Sequence, residues 1–261
     1  MPGALSSQYF SALLLAAPCM RAGISLEVEG DLVSKPYIEV TAQAMQAFGA
    51  RVVREQFRHF EVGPGAYAPT TYPVEPDASA ASYFFAAAAI TGGTVVVPGL
   101  GSSSLQGDLG FVRILERMGC RVSQTESETR VEGPSKLGGV EVDMSDLSDT
   151  AQTLAAIAPF ASAPTRVTGI GFIRRKETNR IAAVVSELKR LGISADEESD
   201  GFVVRPGVPR PAQVETYDDH RMAMSFALLG LVTPGVEILN PNCVSKTFPD
   251  FFRTLEELRS Q

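Results

Sequence analysis

Apolar and polar positions in this chain follow a pattern that recurs four times. Each time a small or acidic stretch runs into an Ala- and Leu-rich helical run. The four are Ser6-Ser7-Gln8 into 9–17, Ser79-Ala80-Ala81-Ser82 into 83–90, Asp149-Thr150-Ala151-Gln152 into 153–161, and Asp219-His220-Arg221 into 222–231. With Ser7, Ser79, Asp149 and Asp219 as equivalents, the period is 70 to 72 residues. Such self-similarity marks a repeated supersecondary unit. After each helix comes a β-rich segment (24–28, 94–97, 165–168, 236–239), a polar loop, and a second helix (37–48, 109–118, 180–191, 248–258). Gly49, Gly119 and Gly192 follow the first three of these helices, as a residue just beyond a helix C-terminus should. Alternating segments at 51–62, 121–132 and 193–205 predict hairpins closed by Gly-Pro or Pro-Gly turns.

With a strand before each next helix, the unit reads βαβαββ. That makes a layered α/β (α+β) body in which helices bury one face against sheets. The first repeat lacks its leading strand and the fourth its hairpin, so both ends look cut or completed by something else. Tyr67-Ala68-Pro69-Thr70-Thr71-Tyr72-Pro73 is the hinge candidate, because its prolines hold the chain extended. The expected division is 1–72 and 73–261.

Composition then narrows the chemistry. A chain of 261 residues that is 44% apolar and 20% charged can bury a full core. A net charge of −7 argues against a general binder of nucleic acid or membrane surface, so a polyanion site must be a local basic pocket. The longest apolar runs are too short to span a bilayer. Three scattered cysteines predict neither a disulfide framework nor a zinc knuckle, and a reducing compartment is the default. With only His59 and His220, a His-based metal site is not expected. The first residues carry no basic segment ahead of the apolar run, so no signal peptide is read there.

Local basic character concentrates in Arg174-Arg175-Lys176-Glu177-Thr178-Asn179-Arg180. If a helix begins near Glu177, then Glu177 and Arg180 lie one turn apart with Lys176 at the helix mouth, where backbone N–H groups favour anions. A solvated helix start would look the same. Four polar clusters fall at matching places in the repeats. Ser6, Ser7 and Gln8 can donate to phosphate oxygens or merely cap a helix. Ser34, Lys35 and Tyr37 sit around Pro36, a structural helix-start proline. Asp149 is either a cap or, facing Lys176, a carboxylate able to take a proton from a hydroxyl. Asp218-Asp219-His220-Arg221 places His and Arg in a first turn, against the dipole, and so calls for an anionic partner. Lys246 lies in the loop before the closing helix.

Together, Ser6-Ser7-Gln8, GDLVSKPY (30–37), EPDASAAS (75–82), KETNR (176–180), DHRMAM (219–224) and KTFPD (246–250) resemble the 3-phosphoshikimate 1-carboxyvinyltransferase (5-enolpyruvylshikimate-3-phosphate, or EPSP, synthase) family. They span the chain in the family's order. The resemblance implies an enolpyruvyl transferase-like inside-out barrel of repeated βαβαββ units, truncated at the N-terminus. Residues 1–72 would be the last unit of the first (upper) domain. Residues 73–261 would be the second (lower) domain, incomplete without N-terminal strands.

The implied reaction moves the enolpyruvyl group of phosphoenolpyruvate to the 5-hydroxyl of shikimate 3-phosphate, releasing phosphate, with no metal and no cofactor. Carried over, Ser6, Ser7 and Ser34 bind the shikimate phosphate with Gln8 and Tyr37 alongside. Asp149 and Lys176 hold the shikimate hydroxyls. Arg180, Arg221 and Lys246 hold the phosphoenolpyruvate anion with His220 nearby, and Glu177 shuttles the proton. Asp149, Lys176, Glu177 and His220 form the implied catalytic set. Phe172 and Ile173 depart from the family, whose members often have Asn and Trp there. The family's N-terminal Lys and Arg residues that clamp both substrates are absent, so the chain alone should be inactive or feeble, with a complementary N-terminal fragment as the expected partner. The expected protein is cytoplasmic, monomeric when complete, and free of nucleic-acid or membrane partners. Competing readings are the sibling transferase acting on UDP-N-acetylglucosamine, a non-catalytic fragment, and a plain repeat scaffold.

Overall fold

The computed structural model describes residues 1–259. The first repeat folds as α1 (Ser7–Ala16), β1 (Ile24–Glu27), α2 (Lys35–Ala47), β2 (Val52–Glu55) and β3 (His59–Val62). Its antiparallel sheet has the order β1-β3-β2, with Leu26 opposite Phe60. Phe10, Leu14, Ile38, Met45 and Phe60 are buried as one core. Each such side chain contributes about 1.5–3 kcal/mol by leaving water. Pro2 bridges Glu29 in the parallel sense, just where the leading strand of a βαβαββ unit would lie.

The remaining repeats run α3 (Ala78–Thr91), β4 (Thr94–Pro98), α4 (Phe111–Arg117), β5 (Arg121–Gln124), β6 (Glu128–Glu132); then β7 (Glu141–Asp143), α5 (Ala151–Ile157), β8 (Thr165–Thr168), α6 (Arg180–Arg190), β9 (Ala195–Glu198), β10 (Gly201–Val204); then β11 (Ala212–Val214), α7 (His220–Ala227), β12 (Val236–Ile238) and α8 (Phe251–Arg259). The third repeat is the complete unit. Its sheet has the order β7-β8-β10-β9, with β7 parallel to β8 and the other pairs antiparallel. The second repeat shows β4-β6-β5, and the fourth shows only β11 parallel to β12. α3 is apolar on nearly every side, and ten of its residues are buried, as befits a helix at the centre of a core. Gly49, Gly119 and Gly192 have φ of 84°, 104° and 80°, the left-handed conformation expected beyond a helix end.

The chain divides into two compact units, Met1–Glu75 with Leu105–Gly107, and Pro76–Ser104 with the chain from Asp108 on. Three expectations need correction. Among the described residues no strand lies between β3 and α3: Pro64, Pro69, Pro73 and Pro76 lack the N–H groups a ladder requires. α3 starts before the serine tract, because Asp77 caps it by accepting from the N–H groups of Ser79 and Ala80. α8 starts at Phe251 rather than Phe248, since Pro249 disfavours helical backbone at the residue before it.

Candidate functional site

In the second unit, four segments bring ionic side chains into one cluster. α6 begins at Arg180, not Glu177, because the Asn179 side chain accepts from the N–H of Ala182 and so fixes the helix start. Glu177 still pairs with Arg180 at 2.7 Å from outside the helix. α7 begins at His220, capped by Asp219, whose Oδ1 accepts from the Arg221 N–H at 2.8 Å. Asp149 lies in a tight turn ahead of α5, which has no side-chain cap at Thr150. Its oxygens instead accept from Lys176 Nζ (2.6 Å), Arg180 Nη1 (3.1 Å) and Arg221 Nη2 (2.9 Å). Lys246 closes the turn before α8 and donates to Glu177 Oε1 at 2.7 Å.

Arg180 is the hub. Its side chain is 1% exposed, with Nε on Asp219 Oδ2 at 2.8 Å and Nη2 on Asp219 Oδ1 at 3.3 Å, besides the bonds to Asp149 and Glu177. The planar guanidinium suits this use, since its donors fan out in fixed directions toward three carboxylates. Lys176, Arg180, Arg221 and Lys246 face Asp149, Glu177 and Asp219, leaving one positive charge in excess. Cations at the starts of α6 and α7 oppose the helix dipoles, and these carboxylates offset that. Exposure separates the cations by role. Lys246 (57%), Lys176 (21%) and Arg221 (13%) reach solvent, whereas Arg180 does not. Lys176 Nζ also lies 5.7 Å from the centre of the Phe172 ring, a cation–π contact.

Burial alone would raise the carboxyl pKa values here, but the cations outweigh it. Arg221, Lys176 and Arg180 hold Asp149 far below the usual carboxylate range. The Lys246 bond and the Arg180 charge bring Glu177 down to about 2. His220 is buried, and its Nδ1 has no hydrogen-bond partner among the described residues. Burial, then Arg221, lowers its pKa. Stability should therefore fall on acidification in two stages. Below about pH 6.5 the unfolded chain protonates His220 more readily than the folded one. Below about pH 4 the stabilisation from ionised Asp149 and Glu177 is withdrawn, ending only as pH falls through their depressed folded values. Melting midpoints from pH 8 to pH 3 check this; a flat curve between pH 7 and pH 3 contradicts it.

The other sequence candidates lie in the first unit. Ser6 caps α1, its Oγ accepting from the Gln8 N–H at 3.2 Å. Ser7 is buried and Gln8 exposed. Ser34 is buried with left-handed backbone (φ 53°) at the start of α2 and makes no capping bond. Tyr37 is half-buried, and its carbonyl accepts from Thr41 Oγ1, which also meets Ser11 Oγ. Arg174, one cation of the dense heptad, turns instead to Glu197 and the Glu198 carbonyl. Among the described residues no helix is long and apolar enough to cross a membrane.

Comparisons with known proteins identify the family and the fold. A family model described as EPSP synthase (3-phosphoshikimate 1-carboxyvinyltransferase) matches residues 1–255. The 3-phosphoshikimate 1-carboxyvinyltransferase of Nostoc punctiforme is 49% identical over 257 residues, covering 98% of this chain and 60% of that protein. The chloroplastic enzyme of Brassica napus is 44% identical over 269 residues, covering 99% and 52%. The solved EPSP synthase of Acinetobacter baumannii superposes with a TM-score of 0.80 at 27% identity, covering 97% of this chain and 60% of that one. The chain thus spans between half and two thirds of the length of these relatives. Its fold is the α/β fold of the enolpyruvyl transferases. By its matched sequence and its fold, the chain belongs to the EPSP synthase (3-phosphoshikimate 1-carboxyvinyltransferase) family.

Proposed function

We propose that this chain carries part of the machinery that transfers the enolpyruvyl group of phosphoenolpyruvate to the 5-hydroxyl of shikimate 3-phosphate, releasing phosphate. The observation that supports it best is the seven-member ionic cluster, built from four segments that the repeats set at helix starts. Its solvent-reaching cations suit a small, multiply charged anion. In this reading Arg221 and Lys246 take the phosphoenolpyruvate anion, with Arg180 behind them and His220 nearby. Lys176 and Asp149 hold the shikimate hydroxyls. In the first unit, Ser6, Ser7 and Ser34 take the shikimate phosphate, with Gln8 and Tyr37 alongside.

The chemistry assigns Glu177 the proton at the methylene carbon. Protonation there builds positive charge at the adjacent carbon, which the 5-hydroxyl oxygen attacks as its own proton passes to an oxygen of the donor's phosphate group. The tetrahedral intermediate then expels phosphate, which fixed cations stabilise, while the methyl group returns a proton to Glu177. Asp149 is so acidic that it makes a poor proton acceptor. Its part is to orient the hydroxyl and hold the Lys176 side chain in place.

The rest of the relatives' length is proposed to supply further substrate contacts and a complementary polypeptide. In the third repeat β8 continues to the hairpin strand β10, but the equivalent edge of β12 has no partner strand among the described residues. Beside it runs a groove of about 880 Å³ with an apolar floor that includes Leu231, Val236, Ile238, Phe252 and Leu255. A cytoplasmic setting and a single complete copy belong to the same proposal.

A phosphate-release assay with shikimate 3-phosphate and phosphoenolpyruvate tests the reading, on the chain alone and with an N-terminal fragment of a relative added. Turnover is expected in the mixture and little without it. Losing several charge-assisted contacts of roughly 1.5–3 kcal/mol each lowers affinity by orders of magnitude. Phosphate release with UDP-N-acetylglucosamine instead would reassign the acceptor. No release in either sample would leave only a binding role.

A further inference from the structure

Immediately before the cluster's Asp219, the backbone does something costly. Thr216 O accepts from the Asp219 N–H at 2.9 Å, closing a four-residue turn whose central residues, Tyr217 and Asp218, have φ of 54° and 56°. Two consecutive left-handed residues make a turn of the kind that glycine, asparagine and aspartate normally fill. Asp218 is of that kind, but Tyr217, a bulky aromatic residue, is not. Strained backbone of this sort persists only where its surroundings over-determine it.

The over-determining group is Glu187, whose side chain is 0% exposed. One oxygen accepts from the Glu215 N–H at 3.0 Å and from Arg190 Nε at 3.0 Å. The other accepts from the Tyr217 hydroxyl at 2.7 Å. On the far side, Asn240 Nδ2 donates to Asp218 Oδ1 at 3.1 Å. Glu187 sits seven residues after Arg180 on α6, two turns along, so both lie on nearly the same helix face. One helix therefore holds this segment twice: Arg180 grips the Asp219 carboxylate, and Glu187 grips the turn that delivers it. The surface reach of Arg190, half exposed, leaves the carboxylate its buried task.

We propose that Glu187 is a positioning residue for the anion site. It holds the Tyr217–Asp218 turn in its left-handed form and thereby sets Asp219, His220 and Arg221 at the start of α7. The anion-binding consequence rests on the function proposed above; the placement of His220 does not.

Two readouts on the full chain test it, at a temperature where each variant stays folded. Glu187→Gln removes the charge and faces one of its donors with an amide N–H. It should weaken binding of phosphoenolpyruvate by about tenfold, since small misplacements of a charged clamp are expensive. It should also shift the His220 ring signals in a nitrogen–proton NMR spectrum while those of His59 stay fixed; with two histidines in the chain, assignment is direct. In a Tyr217→Gly background the turn no longer needs forcing, so the same Glu187→Gln change should cost about twofold or less. If Glu187→Gln does not fold, Tyr217→Phe removes only the hydroxyl bond and should move both readouts in the same direction. A lowered melting point with unchanged affinity and unmoved His220 signals would reduce Glu187 to a structural role and overturn the proposal. Should the native chain bind no phosphoenolpyruvate, the anion reading fails, and the His220 signals alone still decide for or against the clamp.

Discussion

Replacing Arg180 by alanine should lower the thermal midpoint by roughly 6–20 °C, the largest stability effect expected of any single change in the cluster. The side chain is 1% exposed and bonded to three carboxylates, one of them, Asp219, 0% exposed. Removing one partner of a buried ionic set leaves uncompensated charge, which costs about 3–5 kcal/mol. At roughly 2–4 °C per kcal/mol for a domain of this size, that gives the stated range. The cost comes from orphaned carboxylates rather than from lost packing. Adding Asp219→Asn to Arg180→Ala should therefore recover much of the midpoint. Arg180→Lys should fall between, since it keeps the charge but loses the fork that reaches Asp219 through both Nε and Nη2. A midpoint within about 2 °C of the native value for Arg180→Ala would mean the cluster carries little of the stability.

That prediction depends on pairings the amino-acid order did not disclose, although much else was readable. The period of the repeats, the positions of most helices and hairpins, and the glycines beyond the helix ends all follow from local chemistry. Local rules act over a few residues, and those elements are settled over a few residues. The prolines before α3 also rule against a strand there, although the repeat pattern argues for one. The charged helix starts were legible, because Lys176 to Arg180 and Asp218 to Arg221 put cations where the helix dipole disfavours them.

What remained hidden was which charge meets which. Arg180 reads from sequence as an anion-binding group, yet its nitrogens are bonded to carboxylates at 31, 3 and 39 residues' separation. Asp219 reads as a helix cap and is one, but its second oxygen serves Arg180. Glu187 gave no signal at all. With Arg190 three residues on, it looks like half of an exposed helical ion pair, and only the fold brings Tyr217 and Glu215 onto it.

In enzyme reconstituted with an N-terminal fragment, Glu177→Gln should cut phosphate release by roughly 10²–10⁴-fold, the usual scale for losing a proton-transfer group. Binding of shikimate 3-phosphate should change by about twofold or less, because its proposed contacts are elsewhere. The starting pKa of about 2 makes Glu177 too acidic to protonate a methylene carbon near neutral pH. The same contacts that depress it supply the remedy. Lys246, its 2.7 Å partner, is also the most exposed cation of the cluster and the first an incoming anion would claim. An anion that takes Lys246 and draws on Arg180 removes what keeps Glu177 ionised, and burial then pushes its pKa upward. Substrate binding would thus arm the acid, so Lys246→Ala should raise the Glu177 pKa without any ligand, as NMR titration of the carboxyl carbon can show. Equal losses of binding and turnover in Glu177→Gln would make Glu177 a binding group. Unchanged turnover would move the proton to another residue, and a Glu177 pKa unmoved by Lys246→Ala would break the link between anion capture and proton delivery.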